Sequence, residues 1–171
     1  MLLKIIGVLL VTFIITSCNS NPHNGEDLPL ISEKLIEDGN NVSSIDSEAM
    51  SAIKANSQIV QTKFSELAGF KFQYSPKSID WIDGLIQRQR ERERSHGRLP
   101  DILGSYLGEA IIKEYGGEWV SINGVPSVKI DNNLIVFPFN KVEKQFLNGS
   151  EDSISFYFKY IDQLINEKNK S

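Results

Sequence analysis

The sequence predicts an α+β domain with helices packed on one face of a small antiparallel sheet. Three observations carry that expectation. Apolar residues recur at threes and fours through several stretches, which places them on one side of amphipathic helices. Between residues 118 and 137 short apolar runs are instead separated by turn residues, as in a meander. Glycine or asparagine stands at most junctions between these patterns, where the chain must turn.

The helical period opens at Ser44 and runs to Leu67 through Ile45, Ala49, Ala52, Ile53, Ile59, Val60 and Phe64, with Gly69 placed to cap its end. Phe70, Phe72 and Tyr74 then alternate with Lys71, Gln73 and Ser75, which predicts a short half-buried strand over 70–74. Pro76-Lys77-Ser78 opens a second helix that carries Ile79, Ile82, Leu85 and Ile86 on one side, with Trp81 beside them. Its end, Gln87 to Arg94, is charged. Gly97 and Pro100 bracket a connection, and Ile102, Leu103, Tyr106, Leu107, Ala110 and Ile111 form the apolar side of a third helix over 101–115. Gly116-Gly117 stops it.

Trp119, Val120 and Ile122 precede Asn123-Gly124, and Val125, Val128 and Ile130 follow. Both central residues tolerate positive φ, so a tight type I′ hairpin is expected there. Asp131-Asn132-Asn133 makes the next turn and Leu134-Ile135-Val136-Phe137 the third strand of a meander over 118–137. A short helix over 140–147 is closed by Asn148-Gly149, and Ser150 stands where it can cap a last helix through Ile154, Phe158, Ile161, Leu164 and Ile165. Phe156, Tyr157 and Phe158 are consecutive and cannot all face one core, so at least one points elsewhere.

The first residues follow a different logic. Met1-Leu2-Leu3-Lys4 precedes eleven mostly apolar residues, Ile5 to Ile15, and then Thr16-Ser17-Cys18. A basic start and an apolar run of roughly 7–15 residues are the layout of a secretory signal peptide. The run is shorter than the about 20 apolar residues that a spanning helix needs. Ile15-Thr16-Ser17-Cys18 resembles the lipobox of bacterial lipoproteins, in which a branched aliphatic and two small residues precede the cysteine. The resemblance implies a diacylglycerol thioether on Cys18, cleavage before it and acylation of the new amine. Residues 1–17 are then a signal peptide, residues 18–43 a lipidated cysteine, polar tether and short helical turn, and residues 44–171 one domain. Asn19, where an aspartate would resemble an inner-membrane retention signal, favours an outer membrane facing the periplasm. Cys18 is the only cysteine, so the folded domain is expected to form without disulfides.

A second resemblance spans roughly residues 78–162. Tyr106-Leu107-Gly108-Glu109, Gly116-Gly117-x-Trp119, Pro138-Phe139-x-x-Val142-x-Lys144 and Asn148-Gly149-x-x-Asp152-Ser153 together resemble a bacterial domain family of unknown function. It implies a helix, a small sheet opened by glycine and tryptophan, a lysine-bearing helix and a last helix, and it implies no activity.

Candidate chemistry is sparse. The formal charge is −4, without a broad basic surface, which argues against a nucleic-acid partner. His23 lies in the tether and His96 in the charged stretch, and neither has metal-ligand spacing to other donors. Gly116-Gly117 leads into a strand and not a helix N-terminus, so it makes no phosphate loop, and no cofactor is implied. Glu109, in an otherwise apolar stretch, is either a general base or cation ligand, or a structural carboxylate for which Lys144 is an available partner. Gly104 and Gly108, four residues apart, favour close approach by the domain's own sheet or a neighbouring helix over a ligand. Arg88, Arg90, Arg92 and Arg94 form either a solvated helix end or a contact for anionic headgroups or an acidic partner. Trp81 and Trp119, at element ends, are candidate binding aromatics.

These readings rank a membrane-anchored, non-enzymatic module that binds an envelope or secreted protein first. A small envelope hydrolase or ligand-binding protein centred on Glu109 comes next, and an immunity or inhibitor-type lipoprotein is a special case of the first.

Overall fold

A computed structural model describes residues 31–32, 42–91, 96–130 and 134–168. In chain order these form β1 (Ile31–Ser32), β2 (Val42–Ser44), α1 (Ser47–Ile59), α2 (Ser65–Ala68), α3 (Pro76–Arg90), α4 (Leu99–Tyr115), β3 (Glu118–Ile122), β4 (Val125–Lys129), β5 (Ile135–Val136), α5 (Pro138–Asn148) and α6 (Ile154–Lys168). A π turn, Val60–Phe64, joins α1 to α2, and a 3₁₀ turn, Gly149–Asp152, precedes α6. The architecture is α+β with a small antiparallel sheet.

Side chains satisfy free backbone groups at the starts of α1 and α3. Asp46 accepts from the Ala49 amide at 2.8 Å and starts α1, so the helix opens at 47 and not at 44. Gly69 closes α2 in the left-handed conformation, φ 71°, where a side chain would be strained. Ser75 caps α3, with Pro76 in its first turn. The last helix departs from expectation: Ser150 lies in the 3₁₀ turn, and it is Ser153 whose Oγ accepts from the Phe156 amide at 3.1 Å.

The sheet runs β1-β5-β4-β3-β2. Asn123 (φ 51°) and Gly124 (φ 85°) make the expected turn between β3 and β4. Trp119, Val128 and Val136 stand in cross-strand register and belong to the main core, which the helices share. Val120, Ile122, Ile135 and Phe137, with Val125 against them, form a smaller cluster. Alternation along the strands puts that cluster on the opposite face, so the sheet is apolar on both sides.

Three local expectations are corrected. Ile31 and Ser32, in the segment expected to hold a short helical turn, pair instead with Val136 and Ile135 as β1. Residues 70–74 make no strand, although Phe72 is buried as the alternation requires. The Phe72 amide donates to Ser65 Oγ at 2.9 Å and the Tyr74 amide to Tyr106 Oη at 2.9 Å. Side chains thus take the donors that a ladder would have used, and Tyr74 (φ 55°) turns the chain out of the extended region. Conversely, Val42 and Ser43, expected in the segment before the domain, and Ser44, expected at the start of a helix, form β2 and pair with Ile122, Ser121 and Val120. All three β2 side chains are exposed, so no apolar alternation marks the strand, which its backbone pairs to β3.

Candidate functional site

Helix α4 carries the centre that the sequence singled out. A Cβ at Gly104 would lie 2.6 Å from Phe139 Cδ1 and 3.0 Å from Phe139 Cα. A Cβ at Gly108 would fall inside the van der Waals envelope of Trp119 Cζ2 and Cη2, and 3.2 Å from Pro138 Cγ. The missing side chains therefore admit the indole of β3 and the first turn of α5 against the helix, an internal close approach. With its ring seated there, Trp119 turns Nε1 to Glu109 and donates to Oε1 at 2.8 Å. Glu109, half-buried, thus ties α4 to the sheet.

Tyr74 is near enough to feel the same carboxylate. Its hydroxyl is held above the ordinary tyrosine range by burial and, to a lesser degree, by the charge of Glu109, against the opposing hydrogen bond with Ser57 at 2.8 Å. The grouping therefore offers a protonated phenol, an indole N–H and one carboxylate. That set can orient a polar group but contains no activated nucleophile. Among the described residues, no three or more His, Cys, Asp or Glu side chains converge to hold a metal ion.

The remaining predicted residues fall elsewhere. Trp81 packs in an aromatic group with Phe64 (5.7 Å between ring centres) and Phe72 (5.5 Å), and the Arg88 guanidinium lies over its ring at 5.7 Å. Arg90 donates from Nε and Nη2 to the Leu147 carbonyl at 3.3 and 3.1 Å, which satisfies a free acceptor at the end of α5. His96 stacks on Phe146 at 4.2 Å. Arg92, Arg94, His23 and Cys18 lie outside the described residues.

Two features escaped the sequence reading. The first is a polar junction among α3, α5 and α6. Ile154, Ser155 and Phe156, at the start of α6, donate their amides to Gln145 Oε1 (3.0 Å), Asp83 Oδ2 (3.1 Å) and Ser153 Oγ (3.1 Å). Ser153 Oγ in turn donates to Asp83 Oδ2 at 2.6 Å. Beside them Lys141, buried in α5, donates to Asp152 Oδ1 at 2.8 Å, and Asn148 donates to Oδ2 at 2.6 Å. Desolvation works to raise the Asp152 carboxyl, but the bonds from Lys141 and Asn148 and the charges of Lys141 and Lys144 outweigh it, and its pKa is lowered. An isolated lysine within an amphipathic helix gives no sign that it will be buried; the sequence signal available was the Asp152-Ser153 step.

The second is a cleft between α1 and the beginning of α4, lined by Asn56, Arg98, Asp101, Ser105 and Phe139 among others. Its residues come from separate segments and share no short motif. On the outside of α6, Phe156 is exposed whereas Tyr157 and Phe158 are buried, which resolves the three-aromatic run.

No protein-family model, curated protein or solved structure matches this chain.

Proposed function

We propose that this chain is a lipid-anchored lipoprotein of the bacterial cell envelope whose domain is a non-enzymatic module for binding another envelope or secreted protein. The observation that carries the binding role is the outer face of α6. Phe156 is 69% exposed and Tyr160 40%, and their rings stack at 6.0 Å with 11° between planes. The other side of the helix sends Ile154, Phe158 and Ile161 into the core. Helix formation and packing therefore already hold Phe156 and Tyr160 in place, so little further order is lost when a partner covers them. Rigid aromatics of this kind dominate many interfaces. The lipobox-like Ile15-Thr16-Ser17-Cys18 supports the anchor, and no helix among the described residues is long and apolar enough to cross a membrane itself. The hydrolase reading has less support, because Glu109 already accepts from Trp119.

Both halves of the proposal are open to test. Cys18→Ser is expected to abolish incorporation of a fatty-acid label and to move the chain out of the membrane fraction; retained labelling would refute the anchor. For the binding face, a photo-crosslinking residue at position 156 in the full-length anchored protein should trap one reproducible partner. Phe156→Ala with Tyr160→Ala should reduce that partner's affinity about ten-fold or more. Leu67→Ala, at an equally bare apolar site (73% exposed), should leave it unchanged. Equal loss at both places, or no reproducible crosslink, would overturn the assignment.

A further inference from the structure

The cleft between α1 and α4 has features that suit a small ligand, independently of the α6 face. It is an open cleft of about 280 Å³. Sites for drug-sized molecules run from roughly 300 to 1,000 Å³, so this one suits something smaller. Apolar side chains line part of it, among them the buried Ile53, the half-buried Phe139 and the exposed Ala52. The Phe139 ring is fixed because Gly104 lets it press against α4. The Phe139 face is thus in place before any ligand arrives.

The rim is charged in both senses. Arg98 and Asp101, at the start of α4, both line the opening. The Asn56 side chain, only 8% exposed, spans the wall: Nδ2 donates to Ser105 Oγ at 3.3 Å, and Oδ1 accepts from Arg98 Nη2 at 3.4 Å. Ser105 Oγ is itself fixed by donating to the Asp101 carbonyl at 2.7 Å. Asn56 therefore orients the guanidinium but occupies only one of its five donors, and at long range. Among the described residues Arg98 and Asp101 make no ion pair with each other or with another side chain. Neither charge meets an opposite one among the described residues, and both line the cleft beside its apolar side chains.

We infer that this cleft binds a zwitterionic apolar ligand of amino-acid size, with its carboxylate on Arg98, its ammonium on Asp101 and its side chain against Ala52, Ile53 and Phe139. A purely anionic ligand would meet the Asp101 carboxylate, and a purely cationic one the Arg98 guanidinium. Only a molecule bearing both charges answers both. The planar guanidinium suits a carboxylate with two parallel bonds.

The test is saturation-transfer NMR on the full-length chain in mild detergent, using L-leucine and L-phenylalanine as probes. Leucinamide, which lacks the carboxylate, and N-acetyl-leucine, which lacks the ammonium, serve as comparisons. L-leucine should saturate, and each comparison ligand should bind about ten-fold more weakly, the loss expected for one charge-assisted contact. Arg98→Gln should erase the difference between leucine and leucinamide but keep the penalty on N-acetyl-leucine. Asp101→Asn should do the reverse. Both replaced side chains are exposed at the rim, and thermal unfolding checks that the variants fold. If a variant does not fold, the ligand series on the unaltered chain decides alone. Absence of a saturable signal from both amino acids, or equal affinity for leucine, leucinamide and N-acetyl-leucine, would overturn the assignment.

Discussion

Gly108→Ala should lower the stability of the domain by about 1–3 kcal/mol, and Gly108→Val should leave little folded protein. Intrinsic helix propensity alone predicts the opposite sign, since alanine is favoured over glycine by about 1 kcal/mol inside a helix. The packing of α4 decides the matter. The new methyl group would overlap the far edge of the Trp119 indole and press on Pro138. Trp119 cannot easily withdraw: it is 7% exposed, Nε1 is bound to Glu109, and its ring packs against Phe139 at 5.9 Å. Withdrawal would break that hydrogen bond and part β3 from α4. For a domain with total stability of about 5–15 kcal/mol, such a loss is substantial. Gly84→Ala provides the internal contrast. A Cβ there meets only the end of the Arg88 side chain at 3.1 Å, which can swing aside, so the propensity gain should survive. Urea unfolding of the three variants checks the ordering, and a Gly108→Ala midpoint at or above that of the parent chain would contradict it.

How far the sequence disclosed this fold depends on whether a signal was local. The 3.6-residue period marked every long helix because each has a continuous buried side, from Ile53 and Val60 to Ile154, Phe158 and Ile161. Asn123-Gly124 disclosed its hairpin because few residue pairs hold two positive φ values in succession. At 70–74 the alternation truly reported burial, but a strand also needs a partner backbone, and pairing is not written in a single segment. β2 failed in the other direction, since an exposed edge strand is defined wholly by the strand beside it.

The candidate sites divide in the same way. Gly104, Gly108 and Glu109 were each legible, because glycines in a helix and a lone carboxylate on an apolar side require a neighbour. Trp119, expected as a binding aromatic, is instead buried in that role, and in the sequence Lys144 stood as the available partner for Glu109. The fold supplied that neighbour from β3 and α5. Asn56, Arg98 and Asp101 carry no such mark. Each is an ordinary surface type, and only the crossing of α1 over the beginning of α4 brings them to one cleft. The same holds for Asp83 and Gln145, which meet the start of α6 from two different helices.

Asp152→Ala should be the most damaging polar substitution in the domain, at about 3–5 kcal/mol. The reason lies with its partner. Lys141 is 4% exposed, and with Asp152 gone its ammonium would stay buried with, among the described residues, the face of Tyr157 at 5.6 Å to answer it. Lys141→Met should cost less, because it removes the buried charge and leaves Asp152 its bond from Asn148. The asymmetry between the two single variants, and partial recovery when Lys141→Met is added to Asp152→Ala, would separate a desolvated cation from a simple loss of attraction. The pH dependence has a definite sign. The folded-state pKa of Asp152 is lowered, so its stabilisation is fully present above the unfolded value of about 3.9 and is lost as pH falls through the lower folded value. The parent chain should therefore lose stability below about pH 4 partly through this group, and the Lys141→Met, Asp152→Ala double variant should show a shallower acid limb in thermal unfolding. An acid limb of unchanged steepness would mean that the pair contributes nothing to the pH response, and that the cost of Asp152→Ala arises from the cavity it leaves at the turn into α6.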